Sequence, residues 1–171
     1  PVGVRPYQAA DGVRRIDWKT SAHAGAPQVR RYQPAIALEC LIGLAFAREE
    51  YDGRFAYDTM ERALNAAAAI AAYLQARRQP IGLCTTGHDP AIDATAQSVP
   101  VAQGRAHLMQ VMGTLGRLEP ATNGALPVLL NQQAAHLGWG STVIVITGQR
   151  GPELIAQLLP LQRRGLSVAL I

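Results

Sequence analysis

The run Ile36-Ala37-Leu38-Glu39-Cys40-Leu41-Ile42-Gly43-Leu44-Ala45-Phe46 is apolar at almost every position, with Glu39 as its one charged interruption. A half-buried strand would alternate, and a surface helix would carry a polar face. A short run that is apolar throughout fits the central strand of a parallel sheet, buried on both faces. Working outward, Thr142–Thr147 (TVIVIT) is the most strand-like segment, rich in β-branched residues. Ile81–Thr86 reads as a strand, Gln97–Val101 as a short antiparallel one, and Ser167–Ile171 as the last.

Between these strands lie amphipathic stretches. Asp58-Thr59-Met60-Glu61 has the pattern of a capping box, and Met60, Leu64, Ala67, Ala71 and Leu74 then form one apolar stripe up to Arg78, before Pro80. Gly104–Leu118 repeats the pattern with Leu108, Val111, Leu115 and Leu118. Asn123–Leu137 makes a third helix, tolerating Pro127 in its first turn, and Pro152–Arg164 a fourth, shortened or kinked at Pro160. Alternating strands and helices predict an α/β fold, an open and mostly parallel sheet with helices on both faces. A terminal strand lacks the flanking helix that would cover it, so the sheet reads as truncated at the C-terminus.

The 171 residues suffice for one domain with a real core. An apolar fraction of 49% against 16% charged excludes a disordered chain, and no apolar run reaches membrane-spanning length. Beginning at Pro1 without Met or a signal peptide, the chain reads as a piece of a longer protein. The net charge of +4 is local. Arg5, Arg14, Arg15, Lys19, Arg30 and Arg31 face only Asp11 and Asp17 in the first 35 residues, and the rest is neutral. A basic segment on a neutral body suggests an acidic partner or an internal carboxylate more than nucleic-acid binding.

Residues 1–34 are broken by Pro6, Gly12, Gly25, Pro27 and Pro34 and are expected to be irregular, apart from a short strand near Gln28–Tyr32. Within them Val13-Arg14-Arg15-Ile16-Asp17-Trp18-Lys19 joins four charges to an indole, with neither helical nor strand periodicity. It reads as an ordered loop. Arg14, Arg15, Asp17 and Lys19 form either an internal network that clamps the segment, with Trp18 as a packed anchor, or a surface kept for a partner.

This motif resembles the signature of the bacterial domain of unknown function 58 family, through Arg5, Tyr7, Asp11, Arg14 or Arg15, Ile16, Asp17, Trp18, Lys19, Ser21, Ala22 and Gly25, followed by Arg30 or Arg31, Tyr32 and Pro34. Ala10 and His23 depart from the residues usual there, Gly and Arg. The order of strands and helices is similar too. The resemblance implies a von Willebrand factor A-like domain over residues 35–171, with residues 1–34 as a basic segment packed on its sheet. Such a domain usually carries a metal-ion-dependent adhesion site: D-x-S-x-S after the first strand, a loop Thr, and an Asp after the fourth strand. Oxygen ligands of this kind suit Mg²⁺. Here the first set falls on Ala45, Ala47 and Glu49, Thr122 stands for the loop threonine, and Gly148 and Gln149 follow TVIVIT. Alanines cannot ligate a cation, so a degenerate site with no metal and no cofactor is expected.

Other readings of these residues are bland. Glu49, Glu50 and Asp52 read as a solvated acidic loop, and His23, His88, His107 and His136 lack ligand spacing, His107 and His136 being expected on helix faces. Cys40 and Cys84 read as buried thiols, with a disulfide between neighbouring strands as the alternative. There is no G-x-S-x-G, Walker or H-E-x-x-H motif. TNGAL and TGQRG precede helices and could offer amide donors to an anion. The expected function is therefore a non-catalytic protein-interaction or scaffolding domain. Its alternatives are an enzyme acting on an acidic substrate through the Arg-rich motif, or nucleic-acid binding by the basic segment, which lacks interleaved aromatics for stacking. The family resemblance adds a MoxR-type AAA+ ATPase as partner and a parent protein anchored in the membrane with this domain on the cytoplasmic side, without membrane contact of its own.

Overall fold

In a computed structural model, residues 3–8, 11–13, 16–31, 38–51, 53–122 and 124–171 are described, Arg30 and Arg31 by backbone alone. The chain divides into two compact units, Pro1–Ile36 and Ala37–Ile171.

The first unit is more regular than its sequence suggests. Strand β1 (Gly3–Pro6) pairs antiparallel with β2 (Gln28–Arg31), and helix α1 (Trp18–Ala24) lies between them in the chain. The expected loop thus gives way at Trp18, where the last two residues of the motif open a helix. Asp17 is its N-cap, its side chain accepting from the Thr20 amide at 3.3 Å, and Gly25 ends it in a left-handed turn at φ 68°. No residue of α1 is buried, so it has no apolar stripe to read. Its start is set by the Asp17 side-chain bond and its end by Gly25 instead. Ser21 Oγ donates to the Asp17 carbonyl and accepts from the Gln28 amide, joining helix to strand. Arg5 and Asp11 form a bidentate pair with both contacts at 2.6 Å. That pair fixes the turn through which the motif begins.

The second unit is built on a five-stranded sheet ordered β5-β4-β3-β6-β7. Its strands are β3 (Cys40–Leu44), β4 (Ile81–Asp89), β5 (Ala94–Ala102), β6 (Thr142–Ile146) and β7 (Ser167–Leu170). β4, β3, β6 and β7 run parallel, and β5 returns antiparallel as a nine-residue edge strand, longer than the short one expected. The central strand is shorter than the apolar run, since Leu38 and Glu39 precede its ladder. All five of its residues are buried.

Period-two alternation sends side chains to two separate cores. Ile42, Leu44, Ile81, Leu83 and Ile146 face α2 (Ala56–Ala76) and α3 (Arg105–Leu115). Leu41, Ala45, Cys84, Val143 and Val145 face α4 (Leu126–Gln133) and α5 (Pro152–Arg163). Along α2 the alanines 63, 67 and 71 are buried with Met60, which brings that helix close to the sheet. The helix begins at Ala56, two residues before the expected cap. The 3-10 turn Gly53–Phe55 runs straight into it, leaving Asp58 in the first turn, and the Thr59 hydroxyl donates to the Phe55 carbonyl. The third expected helix is likewise trimmed to α4 plus a 3-10 turn at Ala134–His136.

Cys40 and Cys84 are buried free thiols on adjacent strands, and burial pushes them up to about 11 and about 12. They are protonated at neutral pH. Among the described residues no helix is long and apolar enough to cross a membrane.

Candidate functional site at the carboxyl end of the sheet

The chain leaves β3 through α2 to reach β4 on one side, and later passes through α4 to reach β6 on the other. The crevice above β3 and β6 is therefore a topological switch point, where open α/β sheets place their ligands. Three loops meet there: residues 45–55 after β3, residues 117–125 before α4, and residues 147–151 after β6.

Ala45 and Ala47 are fully buried in that crevice. The backbone of their loop is bonded on both sides. The Ala45 amide donates to the Ile146 carbonyl at 2.8 Å and the Ala121 amide to the Phe46 carbonyl at 3.0 Å, while the Arg48 amide donates to the Ala121 carbonyl. Thr86 Oγ1 accepts from the Phe46 amide at 2.8 Å, and the Tyr51 hydroxyl donates to the Ala45 carbonyl at 2.7 Å. Gly124 closes the arrangement from above. A Cβ on it would stand 2.8 Å from Thr86 Cβ and 2.9 Å from Ala47 Cβ. Small residues at 45, 47 and 124 thus let the loop settle directly onto the strand ends.

The expected ligand positions differ in burial. Ala45 and Ala47 lie in the crevice; Glu49 is exposed on the 3-10 turn Arg48–Glu50; Thr122 is exposed beside the bridge between Ala47 and Ala121. Among the described residues no three His, Cys, Asp or Glu side chains cluster as metal ligands.

Glu50 corrects the reading of a solvated acidic loop. It is 6% exposed, and its Oε2 has no hydrogen-bond partner among the described residues. Burial pushes its carboxyl up to about 7; the backbone amide of Ala47 opposes the rise and the charge of Glu49 adds to it. The turn buries Glu50 because Gly148 lets the β6 loop press on it. A Cβ at 148 would clash with the Glu50 carbonyl oxygen and lie 2.6 Å from the Tyr51 ring. In sequence Glu50 is one of three neighbouring acids, and nothing in spacing separates it from Glu49. Asp52 lies outside the described residues.

A second group has no signal in the sequence. Asp89, fully buried, is held by Arg117 through Nη2 at 2.9 Å and Nε at 3.1 Å, and it also accepts from the Ala91 amide. The Arg117 guanidinium holds the Asp89 carboxyl below its usual range. Together with the backbone bonds between His88 and Glu119, this pair anchors the loop that presents Thr122. The partners are far apart in sequence and belong to no motif. His107 lies on α3, where its Nε2 donates to the Ile81 carbonyl at 2.7 Å, and His136 sits in the 3-10 turn after α4.

The motif residues belong to the other unit. Trp18 opens α1 and is 66% exposed, so the expected packed anchor is not met. Its place in the first turn of a helix with no buried face gives the indole nothing to pack into. Lys19 is exposed, and Asp17 caps the helix. Arg14 and Arg15 lie outside the described residues, and Arg30 and Arg31 pair through their backbones with Val4 and Gly3.

Residues 3–170 match the family described as "Protein of unknown function DUF58". The chain belongs to the DUF58 family. No curated protein matches it. Among solved structures it is similar to proximal thread matrix protein 1 from the mussel byssus, at 11% identity and a TM-score of 0.51, over 79% of this chain and 37% of that one. It is also similar to the pilus adhesin SpaC from Lactobacillus rhamnosus GG in its open conformation, at 13% identity and a TM-score of 0.48, over 70% of this chain and 15% of that one. The DUF58 chain thus spans well under half the length of either, and the likeness to the thread protein is one of fold.

Proposed function

We propose that this DUF58 chain is a von Willebrand factor A-like domain that works as a non-catalytic protein-interaction module and has given up metal at the carboxyl end of its sheet. The observation that carries this reading is the packing of Gly124 onto Ala47 and Thr86, above a strand end whose ligand positions are Ala45 and Ala47. Methyl groups and a close loop occupy the place where hydroxyl and carboxylate ligands would stand. Around it the rim is suited to protein contact. Phe55 and Tyr57 are 67% and 60% exposed, and the Arg48 guanidinium lies over the Tyr57 ring at 5.2 Å. Exposed aromatics beside arginine are the residue types enriched in binding hot spots.

The partner suggested by the family resemblance is a MoxR-type AAA+ ATPase, met on the cytoplasmic side of a membrane that the parent protein reaches by other segments. Immobilising the domain and passing the purified ATPase over it tests both halves of the reading. Saturable binding that survives a chelator and weakens on Tyr57→Ala is expected. Binding abolished by the chelator would restore a metal-dependent site, and no binding would remove this partner.

A further inference from the structure

At the opposite end of the sheet from the crevice, a pocket of about 440 Å³ lies between β5 and the segment that follows α4. Its volume is in the range of small-ligand sites. Glu39 and Leu41 line it from the start of β3, Ser98–Val101 from β5, and Gln133, His136 and Leu137 from the helical side. A bulge shapes its floor. Between the pairs Leu83–Val99 and Ile81–Ala102, β5 sets two residues, Pro100 and Val101, against the single Gly82 of β4. A Cβ on Gly82 would stand 2.7 Å from Val101 Cγ2 and 3.2 Å from Leu41 Cδ1, so the glycine lets those two side chains close into one apolar surface.

Glu39 gives the pocket its sign. Its Oε2 accepts from the Gly138 amide at 3.0 Å and from the Ser141 hydroxyl at 3.3 Å, which uses both lone pairs and fixes the carboxylate. Its Oε1 bonds to none of the described residues. The lining contains no Lys or Arg, and His136 counts as neutral at pH 7, so this negative charge stands uncancelled. It repels a carboxylate or a phosphate. A neutral apolar occupant would strip water from the charge and return no bond. A divalent cation takes several oxygen ligands, and one carboxylate is too few. A guanidinium in its bidentate mode takes both carboxylate oxygens, one of which is already spent. A primary ammonium is compact, carries three donors and can work through one oxygen. The Gln133 carboxamide and the Ser98 hydroxyl, whose side chains bond to none of the described residues, are further acceptors in the same lining. The apolar floor suits an aliphatic stem.

We propose that this pocket binds a lysine side chain of a partner protein, with its stem over Leu41 and Val101 and its ammonium on Glu39 Oε1. A protein rather than a free amine is assigned because β5 is the edge of the sheet, with no strand on its outer side among the described residues. An extended segment laid along that edge can present a side chain to the pocket. The assignment rests on the reading of the chain as an interaction module. It gives that module a second contact, at the end of the sheet away from Phe55 and Tyr57.

The test is a nuclear magnetic resonance titration of the isotope-labelled chain, at neutral pH, with acetyl-Gly-Lys-Gly amide, the matching norleucine and Arg peptides, and n-butylamine. Saturable shifts at Val101, Leu137 and Gly138 are expected with the Lys peptide. The norleucine peptide, or Glu39→Gln with the Lys peptide, should bind about tenfold more weakly, the loss typical of a charged hydrogen bond. Glu39→Gln keeps a carbonyl oxygen for Gly138 and Ser141; should it fail to fold, the Lys and norleucine comparison on the wild type decides alone. Absent or scattered shifts, equal affinity for Lys and norleucine, tighter binding of the Arg peptide, or n-butylamine binding as tightly as the Lys peptide would each overturn the assignment. Parallel binding of the purified ATPase separates the two proposals. ATPase binding without Lys-selective shifts removes the pocket and leaves the interaction module standing, and Lys-selective shifts without ATPase binding do the reverse for that partner.

Discussion

At the scale of single residues, the buried carboxyl of Glu50 has the clearest consequence. Because its folded pKa is raised from the ordinary carboxylate range to about 7, the fold prefers it neutral. Below the unfolded pKa the group is protonated in both states and costs nothing. As pH rises from there to about 7 the unfolded chain releases its proton first, and stability falls. Above 7 the cost is complete at about 3 kcal/mol, since each tenfold change in an ionisation equilibrium is worth about 1.4 kcal/mol. Glu50→Gln should therefore stabilise the chain at about pH 8 and have little effect at about pH 5. Denaturant unfolding at the two pH values measures this, and an equal change at both would show that the fold does not hold the carboxyl neutral. Two motif residues make a contrasting pair. Trp18→Ala, at an exposed position, should change stability by no more than about 0.5 kcal/mol, whereas Asp17→Ala removes a helix cap and should cost about 1 kcal/mol. A loss of several kcal/mol for Trp18 would restore the packed-anchor reading. The difference between these neighbours is not legible in the sequence. Both look like members of one charged, aromatic motif, and only the helix that starts between them gives one a bond and the other solvent.

At the scale of elements, legibility follows burial. β3, β4 and β6 are readable because each lies inside the sheet and carries a short apolar run, Cys40–Leu44, Ile81–Cys84 and Val143–Ile146, and α2 is readable from its stripe of Met60 and alanines. α1 is not, because nothing in it is buried, and the length of β5 is hidden because only Val99 of its nine residues is buried. Its hydrogen bonds come from β4, and alternation cannot report on them. The loops of the crevice are legible only as composition. Alanines at 45 and 47 carry no ligand atoms wherever they lie, but the closeness of Gly124 and Gly148 depends on three loops folding together. That closeness predicts a sharp response. Gly148→Ala places a methyl against the Glu50 carbonyl and the Tyr51 ring, rigid groups that cannot step aside, and overpacking of this kind costs about 1–3 kcal/mol. Gly151→Ala, with open space around its Cβ position but a φ of 135°, suffers through backbone strain alone. Thermal melting should rank both below the wild type. The Tyr51 ring resonances tell them apart, because only Gly148→Ala should displace them. Unmoved resonances in that variant would mean that the β6 loop does not press on the turn.

At the scale of the whole molecule, the sheet order turns these local facts into a statement about metal. In this fold the chain crosses from one side of β3 to the other, and the crossing leaves a crevice at the carboxyl ends where a cation-binding protein would gather oxygen ligands. Here the crevice is occupied by protein. Ala45 and Ala47 present methyl groups, Thr86 spends its hydroxyl on the Phe46 amide, Tyr51 spends its own on the Ala45 carbonyl, and Gly124 lies against the strand ends. Glu50 is the acid buried nearby, and a single carboxylate with a raised pKa is a poor ligand set for a hard divalent ion, which would have to displace its proton and several packed side chains. A ligand that binds the folded state alone must raise the melting temperature as its concentration passes its dissociation constant. Mg²⁺ or Mn²⁺ added up to the millimolar range should therefore leave the melting temperature where it is, and Glu50→Gln should respond in the same way as the wild type. A saturating rise in the wild type that Glu50→Gln abolishes would place a cation at Glu50 and overturn the metal-free reading, because no packed crevice could admit the ion without rearranging around it.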